Sequence, residues 1–113
     1  MIPREIPLAL RSLAIIPAEA AEHEAAWTPR DALAVLEVLE YSRVAVTSAQ
    51  AYKLLGQAII PIEGAWDFPP TTGETESSRA RKSRAGAAVF VRKLDSQGVD
   101  YVSLEFSYQD EAA

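Results

Sequence analysis

From Tyr101 to Phe106 apolar and polar residues alternate one by one: Val102, Leu104 and Phe106 fall on one side of an extended chain, Tyr101, Ser103 and Glu105 on the other. That period of two predicts a strand over 99–108 with one buried face. A different period governs 28–41, where Ala32, Val35, Leu36 and Leu39 recur at helical spacing while Arg30, Glu37 and Glu40 fall off the stripe. Thr28 stands where it can cap the free amides of this helix, Pro29 suits its first turn, and Asp31 meets its positive end. A longer helix is predicted over 75–96. Its apolar stripe is Ala80, Ala87, Val91 and Leu94 with Phe90 beside it, Arg81, Lys82, Arg92 and Lys93 lie opposite, and Gly98 ends it.

The remaining segments carry shorter signals. Val44 and Val46 predict a short strand over 43–47. Thr47-Ser48-Ala49-Gln50 has the form of a capping box, which predicts a second short helix running to Leu55 and stopping at Gly56. A strand is expected over 57–63 with Ala58, Ile60 and Ile62 on one face; Pro61, lacking an amide hydrogen, places it at a sheet edge. Residues 64–73, with Trp66, Asp67, Phe68, Pro69 and Pro70, read as a loop carrying two aromatics. Before Thr28, a short helix is expected within 7–16, then a loop or solvated helical turn over 17–27. The expected fold is therefore α+β: one small domain in which an approximately three-stranded, largely antiparallel sheet packs against two to four helices. Residues 1–27 form its N-terminal segment, 28–108 its core and 109–113 a tail.

Composition narrows the chemistry. At 113 residues the chain holds one hydrophobic core. It has no Cys, hence no disulfide, thiolate ligand or thiol nucleophile, and its single histidine, His23, cannot supply a multi-histidine metal site. Sixteen acids against eleven bases give a net charge of −5, which argues against nucleic acid as a partner and suits a basic one. The charges are also segregated. Glu19, Glu22, Glu24, Asp31, Glu37 and Glu40 crowd the first third, whereas Arg79, Arg81, Lys82 and Arg84 fall within six residues and are expected to form a solvated helix face. The first twenty residues make a poor export signal, because Arg11 and three prolines interrupt the apolar stretch, and no run is long enough for a membrane span. The expected location is the cytoplasm.

Catalytic patterns are short. The five glycines are scattered rather than gathered into a phosphate loop, and no serine sits in a nucleophile motif. Glu37 and Glu40 are spaced for a solvated acidic helix face rather than for acid–base work. Tyr52 and Trp66 are the aromatics most suited to anchoring a partner, although a Trp at the end of a strand also serves to close a core.

The order of these segments has a counterpart. The run from Asp31 to Glu40, the strand ending in Val44-Ala-Val46, Ala51-Tyr52, Pro61, Trp66, Ser83-Arg84 ahead of Ala87 and Phe90-Val91, and the closing Tyr101-Val-Ser-Leu-Glu-Phe106 together resemble the Immunity protein 40 family. The resemblance spans 28–108 and implies a small bacterial protein encoded beside a polymorphic toxin, which it binds and neutralises without catalysis or cofactor. The expected partner is a cognate toxin domain of basic character. The expected contact residues are Asp31, Glu37 and Glu40 on the first long helix, the anchor Tyr52, and Trp66, Asp67 and Phe68. A structural or regulatory accessory subunit, of phage or secretion-system type, that self-associates through an edge strand is the alternative.

Overall fold

A computed structural model describes residues 2–68 and 75–107. Three helices and four strands follow one another as α1 (Leu8–Arg11), β1 (Glu24–Trp27), α2 (Pro29–Val38), β2 (Ala45–Leu55), β3 (Ala58–Asp67), α3 (Glu76–Ser96) and β4 (Tyr101–Ser107). The strands form one sheet in the order β1-β4-β2-β3, every pair antiparallel. The fold is α+β, with α2 and α3 packed together on one face of the sheet over a core of Val35, Leu39, Val46, Val91, Leu104 and Phe106.

Both long helices begin where their caps predict. Thr28 Oγ1 accepts from the Asp31 amide at 3.3 Å and Thr75 Oγ1 from the Ser78 amide at 3.2 Å, each satisfying a donor that the helix itself leaves unpaired. The buried residues of α3 include Ala80, Ala87, Val91 and Leu94, as its stripe requires, and β4 buries Val102, Leu104 and Phe106.

Four expectations are corrected. The sheet has four strands rather than about three, because 24–27, expected as loop or helical turn, pairs with β4 as β1 and buries Ala25, Ala26 and Trp27 completely. The Trp27 indole donates from Nε1 to the Leu10 carbonyl at 2.8 Å, tying α1 to the sheet. No helix forms over 47–55. That segment lies in β2 between β3 and β4, where both sides of its backbone find ladder partners, and the Thr47 hydroxyl donates to the Glu105 carbonyl (3.3 Å) instead of capping. The third strand runs past Glu63 to Asp67, so Trp66 and Asp67 are strand residues rather than loop residues. Finally, Arg84 is not part of a solvated face: it is buried, and its guanidinium donates to the carbonyls of Glu40 (2.8 Å), Ser42 (3.3 Å) and Val44 (2.6 Å), fastening the α2–β2 turn to α3. The expected loop continues through 69–73, and the expected tail covers 109–113; the segments 69–74 and 108–113 lie outside the described residues.

Two irregularities shape the sheet. Between Val46 and Ser48, Thr47 is an extra residue against β4. It shifts the alternation by one, so that Val46, Ala49 and Ala51 all face the helices. Further along, Ile62, Glu63 and Gly64 stand opposite the single residue Ala51. Gly64 takes a φ of 132°, a conformation that side chains resist. The Gln50 amide fills the resulting gap in the ladder, donating from Nε2 to the carbonyls of Ile62 (2.6 Å) and Gly64 (3.1 Å). Beyond this bulge the end of the β2–β3 hairpin is exposed to solvent. Ala58 and Ile60, expected to share a face with Ile62, are exposed there, whereas Ile62 is half-buried.

Candidate functional site

The sheet face turned away from α2 and α3 carries the polar half of each strand, and strand register arranges it in rows. Glu24 of β1 stands opposite Glu105 of β4, Glu105 opposite Ser48 of β2, and Ser48 opposite Asp67 of β3. Three carboxylates thus lie in one line across all four strands. The Ser48 hydroxyl donates to Glu105 Oε1 at 2.9 Å and fixes that carboxylate, while Glu24 Oε1 accepts from the Ala21 amide at 2.8 Å. Asp67 is exposed and the two glutamates half-exposed, so all three keep contact with solvent.

The next row is Ala26, Ser103, Gln50 and Ala65, and the one beyond it holds Tyr101, Tyr52 and Pro61. Tyr52, on the last of these rows, is close enough to Ser103 and Glu24 for both to act on its phenol. It is 8% exposed, and burial together with the nearby Glu24 charge pushes its phenol above the ordinary tyrosine range, partly opposed by its hydrogen bond with Ser103. The phenol therefore stays neutral at physiological pH.

The sequence-based contact residues divide between two faces. Tyr52 and Asp67 belong to the polar sheet face just described. Glu37 and Glu40 lie on the far side of the molecule, exposed along a groove between α2 and α3, while the half-buried Asp31 sits in the capped first turn of α2. Trp66 points toward the helices, half-buried against the core and in contact with Gly86 of α3. Phe68 leans on it at 6.2 Å between ring centroids. Two members of the acidic row escaped sequence reasoning. Glu105 was visible on the polar side of an alternating strand but gained meaning only through its neighbours. Glu24 lay in a segment whose strand character depends on β4.

This surface offers charge and hydrogen-bond acceptors. Among the described residues no group of three His, Cys, Asp or Glu side chains is placed to hold a metal ion, and no helix is long and apolar enough to cross a membrane. His23 is half-buried beside β4, its carbonyl accepting from the Phe106 amide at 2.9 Å. Comparison with protein-family models and with curated proteins finds no match to this chain.

Proposed function

We propose that this chain is a binding protein of the immunity type, which occludes a basic toxin domain in the cytoplasm and performs no catalysis. The observation that carries this reading is the line of Glu24, Glu105 and Asp67 across the polar sheet face, with the half-buried Tyr101 two rows beyond it. Clustered carboxylates on a rigid sheet attract a basic partner and speed encounter, and neighbouring aromatics slow its release. The net charge of −5 acts in the same direction and disfavours nucleic acid. The resemblance to immunity proteins supplies the class of partner.

Co-expression with the product of the adjacent gene tests the proposal: a complex that purifies intact and protects growing cells is the expected result. In that complex Glu105→Lys with Asp67→Lys slows association at least tenfold and flattens its salt dependence. A complex whose rates ignore both changes moves the interface off this face. Absence of both complex and protection ends the immunity reading.

A further inference from the structure

The face opposite the acidic row has its own pattern of charge. Between α2 and α3 runs an open groove of about 510 Å³ whose floor is apolar, formed by Leu33 and Leu36 on one side and Ala85 and Ala88 on the other. The rim on the α2 side is acidic, Glu37 and, just past the helix end, Glu40; the α3 rim is basic, Arg81 and Arg92. Of the residues next in sequence to Glu40 and Ala88, Tyr41 is 95% exposed and Val89 65%. Arg84 closes the bottom of the groove, but its guanidinium is committed to the backbone carbonyls of the α2–β2 turn and offers a ligand little.

We propose that this face joins two copies of the chain into a two-fold dimer. The argument is one of symmetry and charge. A two-fold interface brings the same patch from both subunits face to face, so the patch must complement itself. With the axis along the groove, each copy's α2 lies over its partner's α3. Each acidic rim then meets a basic rim, twice, and the apolar floors close on one another. With the axis across the groove, acid would face acid and base would face base. Opposite rims therefore select one of the two arrangements and make the face self-complementary in it. The short alanine side chains on the α3 side let the helices approach closely. The dimer leaves the polar sheet face free, so it stands independently of any partner bound there.

Charge-swapped variants of the full chain test this. Glu37→Lys with Glu40→Lys, and separately Arg81→Glu with Arg92→Glu, change exposed side chains only and leave Arg84 in place. Circular dichroism and melting temperature confirm that each variant folds. By sedimentation equilibrium the unmodified chain dimerises, and each variant alone associates at least tenfold more weakly, because like charges now face each other. An equimolar mixture of the two variants restores dimerisation, because each acidic rim again meets a basic one. A chain that stays monomeric up to about 1 mM overturns the proposal. So does a dimer unaffected by either variant, which places self-association elsewhere, for example at the β3 edge. Weakened variants that mixing fails to rescue overturn the two-fold arrangement. A monomer whose toxin binding responds to these same changes assigns the groove to the partner and overturns it as well.

Discussion

The six-membered ring of Trp66 occupies the space that a side chain at Gly86 would need: a Cβ there would stand 2.8 Å from Cζ2. Glycine inside a 21-residue helix costs about 1 kcal/mol relative to alanine, and here that cost makes room for the indole between β3 and α3. Gly86→Ala is accordingly expected to lower stability by about 1–3 kcal/mol despite its better helix propensity, because a stiff ring or the helix must shift. Trp66→Ala removes half-buried surface and costs about 2 kcal/mol. In the Trp66→Ala background Gly86→Ala turns neutral or stabilising. Denaturant midpoints of the two single variants and the double variant measure the coupling directly.

Arg84 and Ser83 act as a clasp between α3 and the start of β2. Ser83 Oγ accepts from the Val46 amide at 3.0 Å and donates to the Ala80 carbonyl at 2.8 Å, in full burial. Ser83→Ala strands the Val46 amide and is expected to cost about 1–3 kcal/mol. Burial pulls the Arg84 guanidinium below its ordinary value, with the Glu40 charge opposing and Arg81 reinforcing, yet the group remains charged. Arg84→Lys keeps the charge but loses the fork that reaches three carbonyls, and about 2 kcal/mol of stability is expected to go with it. Amide exchange at 42–46 should quicken in both variants.

Tyr52 makes stability depend on alkaline pH. Its phenol is raised above the value of 10.0 it has when unfolded, so the folded chain holds this proton more tightly. The contribution is complete below pH 10 and is lost as pH rises from there through the folded value. Tyr52→Phe should flatten that alkaline loss, and phenolate absorbance should show one tyrosine fewer titrating late. A variant that loses stability above pH 10 as steeply as the parent would assign the effect to another group.

Gln50 substitutes for the ladder that the bulge at 62–64 interrupts. Removing its amide with Gln50→Ala leaves the Ile62 and Gly64 carbonyls without this donor, at an expected cost of about 1–2 kcal/mol. Exchange of the backbone amides over 62–66 should accelerate while those of β4 hardly change. Equal acceleration throughout the sheet would show that Gln50 supports global rather than local stability.

How legible was all this in the chain? Elements whose signals are local were readable. Thr28 and Thr75 cap the helices they precede, α3 has its expected stripe, and β4 alternates without interruption. Single aromatics were harder. Trp66 suited an exposed anchor as well as core, and only its contact with Gly86 places it under a helix. How the expected contact residues group was not readable, since β4 pairs with both β1 and β2 across long stretches of chain.

The sequence by itself determined the α+β class, both long helices and the buried side of β4, because helix capping and side-chain periodicity act over a few residues. Tertiary structure decided the rest. The extra residue Thr47 moves the buried positions of β2 from Val46 to Ala49 and Ala51, so no single period survives to mark the strand, and a capping-box motif prevailed in its place. The end of the Ala- and Glu-rich segment 17–27 becomes β1 only because β4 offers it a free edge. The line of Glu24, Glu105 and Asp67 exists only through register, a relation between residues 81 (Glu24 and Glu105), 57 (Glu105 and Ser48) and 19 (Ser48 and Asp67) positions apart, which pairing fixes and no local pattern encodes.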